Sequence, residues 1–237
     1  MKHLWLFLIF IVGTANAQQD VAGFFHVNIG ASFARGDFAS VEGSNPASGF
    51  AKNGFSINAL FGHQIYKQFG GFASLNLSAH PVNNRALASA FEELIPTYGW
   101  TAKGSFWALT GYMFGPQFSQ NTKRMAFDLR ASAGALNYIS PKLEFSGLEK
   151  NGSGTIKVVQ EQHSASAFAI GLGASIKYEV KPGWVMLLNA DFYEAQPEFS
   201  NVKVIYQQSG LADRTEYVSF KQEFRMIQSS IGLGYVF

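Results

Sequence analysis

Cysteine is absent from the 237-residue chain, which excludes a disulfide framework and a cysteine-ligated metal site. Charge is scarce as well. Asp, Glu, Lys and Arg make up 14% of residues, where a soluble domain carries about a quarter. The formal net charge of +2 is small and scattered, which argues against a nucleic-acid partner. The five His show no H-x-H or H-E-x-x-H pair, so neither a metal nor a cofactor is expected. No apolar run approaches the ~18–20 residues of a membrane helix. Yet 47% of the chain is hydrophobic, and 23 residues are Phe. A chain rich in apolar residues, poor in charge and without a long apolar run fits a membrane barrel, whose lipid-facing residues are diluted by alternation.

The N-terminus reads as a signal peptide over residues 1–17. Lys2 and His3 precede the apolar run Leu4 to Val12, and Ala15 and Ala17 form an A-x-A cleavage pattern. The run is too short to span a bilayer, so residues 18–237 are expected to leave the cytoplasm as one barrel domain.

Eight stretches alternate with period two and read as strands. They are Gly23 to Arg35, Gly54 to Tyr66, Gly70 to Ala79, Gly104 to Phe118, Met125 to Tyr138, Ser164 to Val180, Trp184 to Glu194, and Phe224 to Phe237. Ser164 to Val180 alternates most cleanly: Phe168, Ile170, Leu172, Ala174, Ile176 and Tyr178 oppose a parity of Gly, Ser and Lys. The faces of Gly104 to Phe118 are ambiguous, because Phe106, Tyr112 and Phe114 compete with Trp107, Leu109 and Met113. Connections alternate long and short, as in transmembrane barrels with long outer loops and short periplasmic turns. A soluble barrel would place apolar residues inside and polar ones outside. Here both parities lack a dense Lys/Glu coating. Asp128, Arg130, Lys177 and Asp191 fall on the less apolar parity and are expected to form a lumenal ion network. The fold class is therefore all-β: an eight-stranded antiparallel up-and-down transmembrane β-barrel. In the second loop, Asn84 to Ile95 shows helical spacing, which suits the barrel mouth or the membrane interface equally.

The last strand, FRMIQSSIGLGYVF, places Ile231, Leu233, Tyr235 and Phe237 on one face and ends on Phe. It resembles the assembly signal of outer-membrane β-barrel proteins. The whole pattern resembles the small outer-membrane barrels: OmpA/OmpX-type barrels and the porin-like "outer membrane protein beta-barrel domain" proteins of Bacteroidota. The resemblance implies insertion into the outer membrane of a Gram-negative bacterium by the barrel assembly machinery, with outer-membrane lipid as surroundings.

Eight strands enclose a lumen that side chains fill, so an open pore is not expected. Three functions remain. A structural or surface-interaction barrel would act through its extracellular loops. There Val158, Val159, Val202, Val204, Ile205 and Tyr206 could offer a sheet edge to an extracellular partner. A narrow channel for small solutes is the alternative. An enzyme is the third, but no H-x-S pair occurs, and His163 and Ser164 are adjacent and so point to opposite faces of a strand. Replacing Phe237 with Ser is expected to impair assembly, read as loss of heat-modifiable gel migration; normal insertion of that variant would remove the terminal-signal reading.

Overall fold

The alternating stretches become strands of a closed wall. In chain order the strands are β1 (Gly23–Arg35), β2 (Gly54–Tyr66), β3 (Phe69–Pro81), β4 (Tyr98–Gly104), β5 (Phe106–Asn121), β6 (Met125–Ile139) and β7 (Leu143–Glu149). They continue as β8 (Thr155–Gln160), β9 (Ser164–Lys181), β10 (Trp184–Ala195), β11 (Glu198–Gln208), β12 (Arg214–Lys221) and β13 (Phe224–Val236). The computed structural model describes residues 23–237; Ala15 and Ala17 of the leader lie outside the described residues. Eight strands close in the cyclic order β1-β13-β10-β9-β6-β5-β3-β2, every neighbour antiparallel. The closing pair runs in unbroken register from Phe24↔Val236 to Arg35↔Arg225. Gly23 and Phe237 complete it by exchanging two backbone hydrogen bonds of 2.8 Å.

Parity decides which side chains face out. Ile29 is 60% exposed, Leu172 64% and Phe168 71%, while Asn28 and Asn189 on the opposite parity are 4% and 3% exposed. The exposed apolar residues recur on all eight barrel strands and form a continuous greasy belt. A belt of that extent marks contact with hydrocarbon rather than water. On β5 the ambiguity resolves: Trp107, Leu109 and Met113 are buried, and Phe106, Tyr112 and Phe114 face out. Aromatics gather at the end carrying the short turns, where Trp184 and Tyr235 lie edge to face at 5.5 Å and Phe69 meets Phe118 at 5.4 Å.

The long loops extend the strands beyond the wall. Five of their segments form a second antiparallel sheet, β12-β11-β8-β7-β4. Each crown strand continues one barrel strand: β4 leads into β5, β6 into β7, β8 into β9, β10 into β11 and β12 into β13. The order across the crown therefore repeats the order β5-β6-β9-β10-β13 of the wall below it. Pro141 and Pro197, both fully buried, fall at the breaks between the two levels, where a missing N–H interrupts a ladder. Other groups bridge the gap. Lys142 N–H donates to Ser105 Oγ at 2.9 Å, His163 N–H to Ser140 Oγ at 3.0 Å, and Ser140 N–H to the His163 carbonyl at 2.8 Å.

Helix α1 (Asn84–Leu94) begins with Asn83 Oδ1 accepting from Ala86 N–H. Leu87 and Ala90 are buried, and Phe91 stacks on Phe145 of the crown at 3.8 Å. The helix thus packs on the crown. The expected sheet edge is corrected by the pairing: Val158 and Val159 of β8 lie opposite Tyr206 and Ile205 of β11, and Val202 and Val204 pair with β12. Those segments satisfy each other and are central; the edges are β4 and β12.

Because Leu172 faces out from the belt, Leu172→Arg is expected to cost about 2–4 kcal/mol of stability in lipid vesicles. Denaturant titration of the refolded variant measures this, and an unchanged midpoint would argue against lipid contact there.

Candidate functional site

The lumen is built from the inward parity of all eight barrel strands. Near the short-turn end, Lys177 Nζ on β9 lies 2.8 Å from Asp128 Oδ2 on β6. Ser175 Oγ donates to the same carboxylate at 3.1 Å and accepts from Arg130 Nη1 at 2.9 Å. Arg130 Nη2 lies 2.9 Å from Asp191 Oδ1 on β10. All four ionisable residues expected in the lumen are therefore found there, joined through Ser175 into one chain of contacts.

Local sequence explains how Arg130 reaches Asp191. Arg130, Gly173 and Asp191 lie side by side on β6, β9 and β10. A Cβ on Gly173 would run into the Asp191 carboxylate and come within 3.1 Å of Arg130 Nε. The glycine on the middle strand lets a guanidinium cross it to the strand beyond. Two aromatic faces border the charges: Lys177 Nζ lies 5.0 Å from the Phe24 ring centroid, and Arg130 lies over Phe72.

Beside the ions runs an amide ladder that the sequence reading missed. Asn189 donates to Asn28 at 3.0 Å, Asn28 to Asn58 at 3.3 Å, and Asn58 to Asn76. Tyr193 OH donates to Asn76 Oδ1 at 3.1 Å. The available signal was an Asn at matching inward positions of β1, β2 and β3, which the register places in one row.

At the crown end the lumen is shut. Phe38, carried inward by the 3-10 turn Gly36–Phe38, meets Phe224 at 4.5 Å and lies edge to face with Trp107 at 5.9 Å. Tyr138 stacks on Phe224 at 4.0 Å, and Trp107 meets Phe199 at 5.9 Å. Phe38, Phe199, Phe224 and Tyr138 are each 0% exposed. Trp107 Nε1 donates to the Gly49 carbonyl at 3.0 Å, tying the first loop onto this plug. At the opposite end a cavity of about 360 Å³ opens outward, lined by Phe24, Gln117, Ser119, Arg124, Lys177 and Glu179 among others. The lumen is thus a blind vestibule beneath an aromatic stopper.

Ile231, Leu233, Tyr235 and Phe237 all face outward, and Phe237 stacks on Tyr235 at 6.3 Å. His163 and Ser164 fall at a seam and the start of β9, with no hydrogen bond between their side chains among the described residues.

Leaving Asp191 buried without Arg130 is expected to cost about 3–5 kcal/mol in an Arg130→Met variant, whereas Arg130→Met/Asp191→Leu should recover much of it. Denaturant unfolding in vesicles reads both values. Equal losses in the single and double variants would show that the pair does not act as a unit.

No family model and no curated protein matches the chain. Solved structures do. The attachment invasion locus protein Ail of Yersinia pestis is 14% identical, with 92% of this chain and 100% of that chain covered and a TM-score of 0.46. A major outer membrane protein from Thermus thermophilus is 11% identical over 91% and 99% of the two chains, with a TM-score of 0.48. Neisserial surface protein A is 10% identical over 90% and 97%, with a TM-score of 0.43. This chain is similar to these small outer-membrane barrels, and its own register and belt make it a closed eight-stranded antiparallel transmembrane β-barrel.

Proposed function

We propose that the protein is exported by its signal peptide to the outer membrane of a Gram-negative bacterium, where the barrel holds a surface-interaction crown. The aromatic stopper carries this reading. With Phe38, Trp107, Tyr138, Phe199 and Phe224 closing the outer mouth, the lumen serves as a polar core and the work falls to the extracellular sheet. The ion chain of Asp128, Arg130, Lys177 and Asp191 then braces the wall from within. The crown offers an extracellular partner its two marginal strands, β4 and β12, each paired on one side only among the described strands. An extended segment adds to such an edge through main-chain hydrogen bonds. Tyr217 on β12 is 67% exposed and offers an aromatic contact beside that edge. Delivery through the barrel assembly machinery fits the outward Ile231, Leu233, Tyr235 and Phe237. In this reading the protein is not an enzyme.

The blind vestibule supports a second reading, a narrow conduit for small solutes that would need the stopper to move. Planar-bilayer recording separates the two. The wild-type protein is expected to show no steady conductance, and a large constant current would reject the stopper. Replacing residues 143–160 by a short turn should leave insertion intact while abolishing surface association of expressing cells, scored by sedimentation. Association that survives the replacement would reject the crown as the working surface.

A further inference from the structure

Charge is distributed unequally between the two ends of the molecule. On the crown side acids and bases are nearly equal in number and many of them pair: Arg225 with Glu194 and Glu223, Lys142 with Glu144, Lys203 with Glu161, and Lys221 with Glu198, while Arg35, Lys52, Arg85 and Lys103 form no salt bridge among the described residues. At the other end the short turns carry Lys67, Lys123 and Arg124, and the end of β9 carries Lys181, all exposed. Among the described residues none of them forms a salt bridge. Among the described residues, Glu179 is the acidic side chain at that end without a salt bridge.

These cations are held at a defined depth. The turns between β2 and β3, β5 and β6, and β9 and β10 comprise Lys67–Gln68, Thr122–Arg124 and Pro182–Gly183, too short to carry a side chain far beyond the wall. Lys67 Nζ lies 5.0 Å from the Tyr66 ring centroid, and Lys181 Nζ lies 5.0 Å from that of Trp184. Aromatic girdles mark the headgroup level of a membrane. Ammonium groups resting on girdle rings are therefore at the depth of lipid phosphates, and unpaired cations there attract anionic lipid.

We propose that this basic rim binds the phosphates of anionic phospholipids in the periplasmic leaflet, fixing the barrel's depth and collecting those lipids around it. The inference rests on the transmembrane reading and adds the lipid class. A polymer standing off the membrane would be met by longer turns; these end at the girdle, which favours lipid.

The test uses the mature chain refolded into vesicles of phosphatidylcholine containing phosphatidylglycerol, with one of the two lipids brominated. Trp184 is 42% exposed at this rim, whereas Trp100 and Trp107 are 6% and 5% exposed, so quenching of tryptophan fluorescence reports on lipid beside Trp184. Phosphatidylglycerol is expected to associate about threefold or more tightly than phosphatidylcholine at low ionic strength. The preference should fall toward unity at high salt and in the K67Q/K123Q/R124Q/K181Q variant. Equal quenching by the two lipids in the wild type overturns the proposal, as does a preference that survives the four substitutions. If the quadruple variant fails to refold, judged by heat-modifiable migration, K181Q alone should lower the preference, and an unchanged value again overturns it. Loss of cosedimentation with peptidoglycan sacculi alongside an intact lipid preference would assign the rim to glycan and reject the lipid. Failure of the wild type to insert into any vesicle would instead overturn the transmembrane reading.

Discussion

The structure depends on one constraint: in hydrocarbon, each backbone N–H and C=O must find a partner within the protein, at a cost of several kcal/mol per group left alone. A sheet meets that demand only by closing, and here closure joins the two ends of the described chain. β1 pairs with β13 along its whole length, and Gly23 and Phe237 exchange the outermost bonds. Once the cylinder is closed, alternation has just two destinations. Apolar side chains enter lipid without penalty, and everything else must be accommodated in the lumen.

That lumen is narrow, which turns a collection of polar residues into a network. Lys177 and Asp128 are 9% and 0% exposed in their side chains, and Arg130 and Asp191 are 3% and 13% exposed. Charges buried so deeply are tolerated only when paired and hydrogen-bonded, and Ser175 supplies the hydroxyl that links the two pairs. Small residues complete the arrangement. Without the gap at Gly173 the guanidinium and the carboxylate would be walled off from each other. The lumen is thus packed by alternating long charged and very short side chains on neighbouring strands.

The barrel was largely legible in the sequence because period two is a local signal. The bounds of β1 and β2 are the ones alternation indicated, and the parity of Asp128, Arg130, Lys177 and Asp191 follows directly from it. What escaped was what neighbours decide. Alternation says that Val158 and Val204 are strand-like, but it does not say that β8 and β11 will satisfy each other and leave β4 and β12 at the margins. Phe38 sits in the polar loop after β1 and carries no local signal, since its role depends on Trp107, Tyr138 and Phe224 meeting above the lumen from distant strands. The Asn ladder needs four strands, β10, β1, β2 and β3, brought together around the lumen before it exists at all. The helix at Asn84–Leu94 was visible from its spacing, whereas its partner Phe145 lies in a segment that only tertiary structure brings near.

The way the crown is mounted has a mechanical consequence. Each of its strands is covalently continuous with a strand of the wall, and the breaks at Pro141 and Pro197 are stitched across by neighbouring residues such as Ser105, Ser140 and Gln222. A tug on the crown along its strand axes therefore runs straight into the barrel staves. It loads their ladders in shear, many bonds at once, instead of unzipping a flexible tether one bond at a time. Anything that grips this sheet pulls on an anchor sunk through the full thickness of the bilayer.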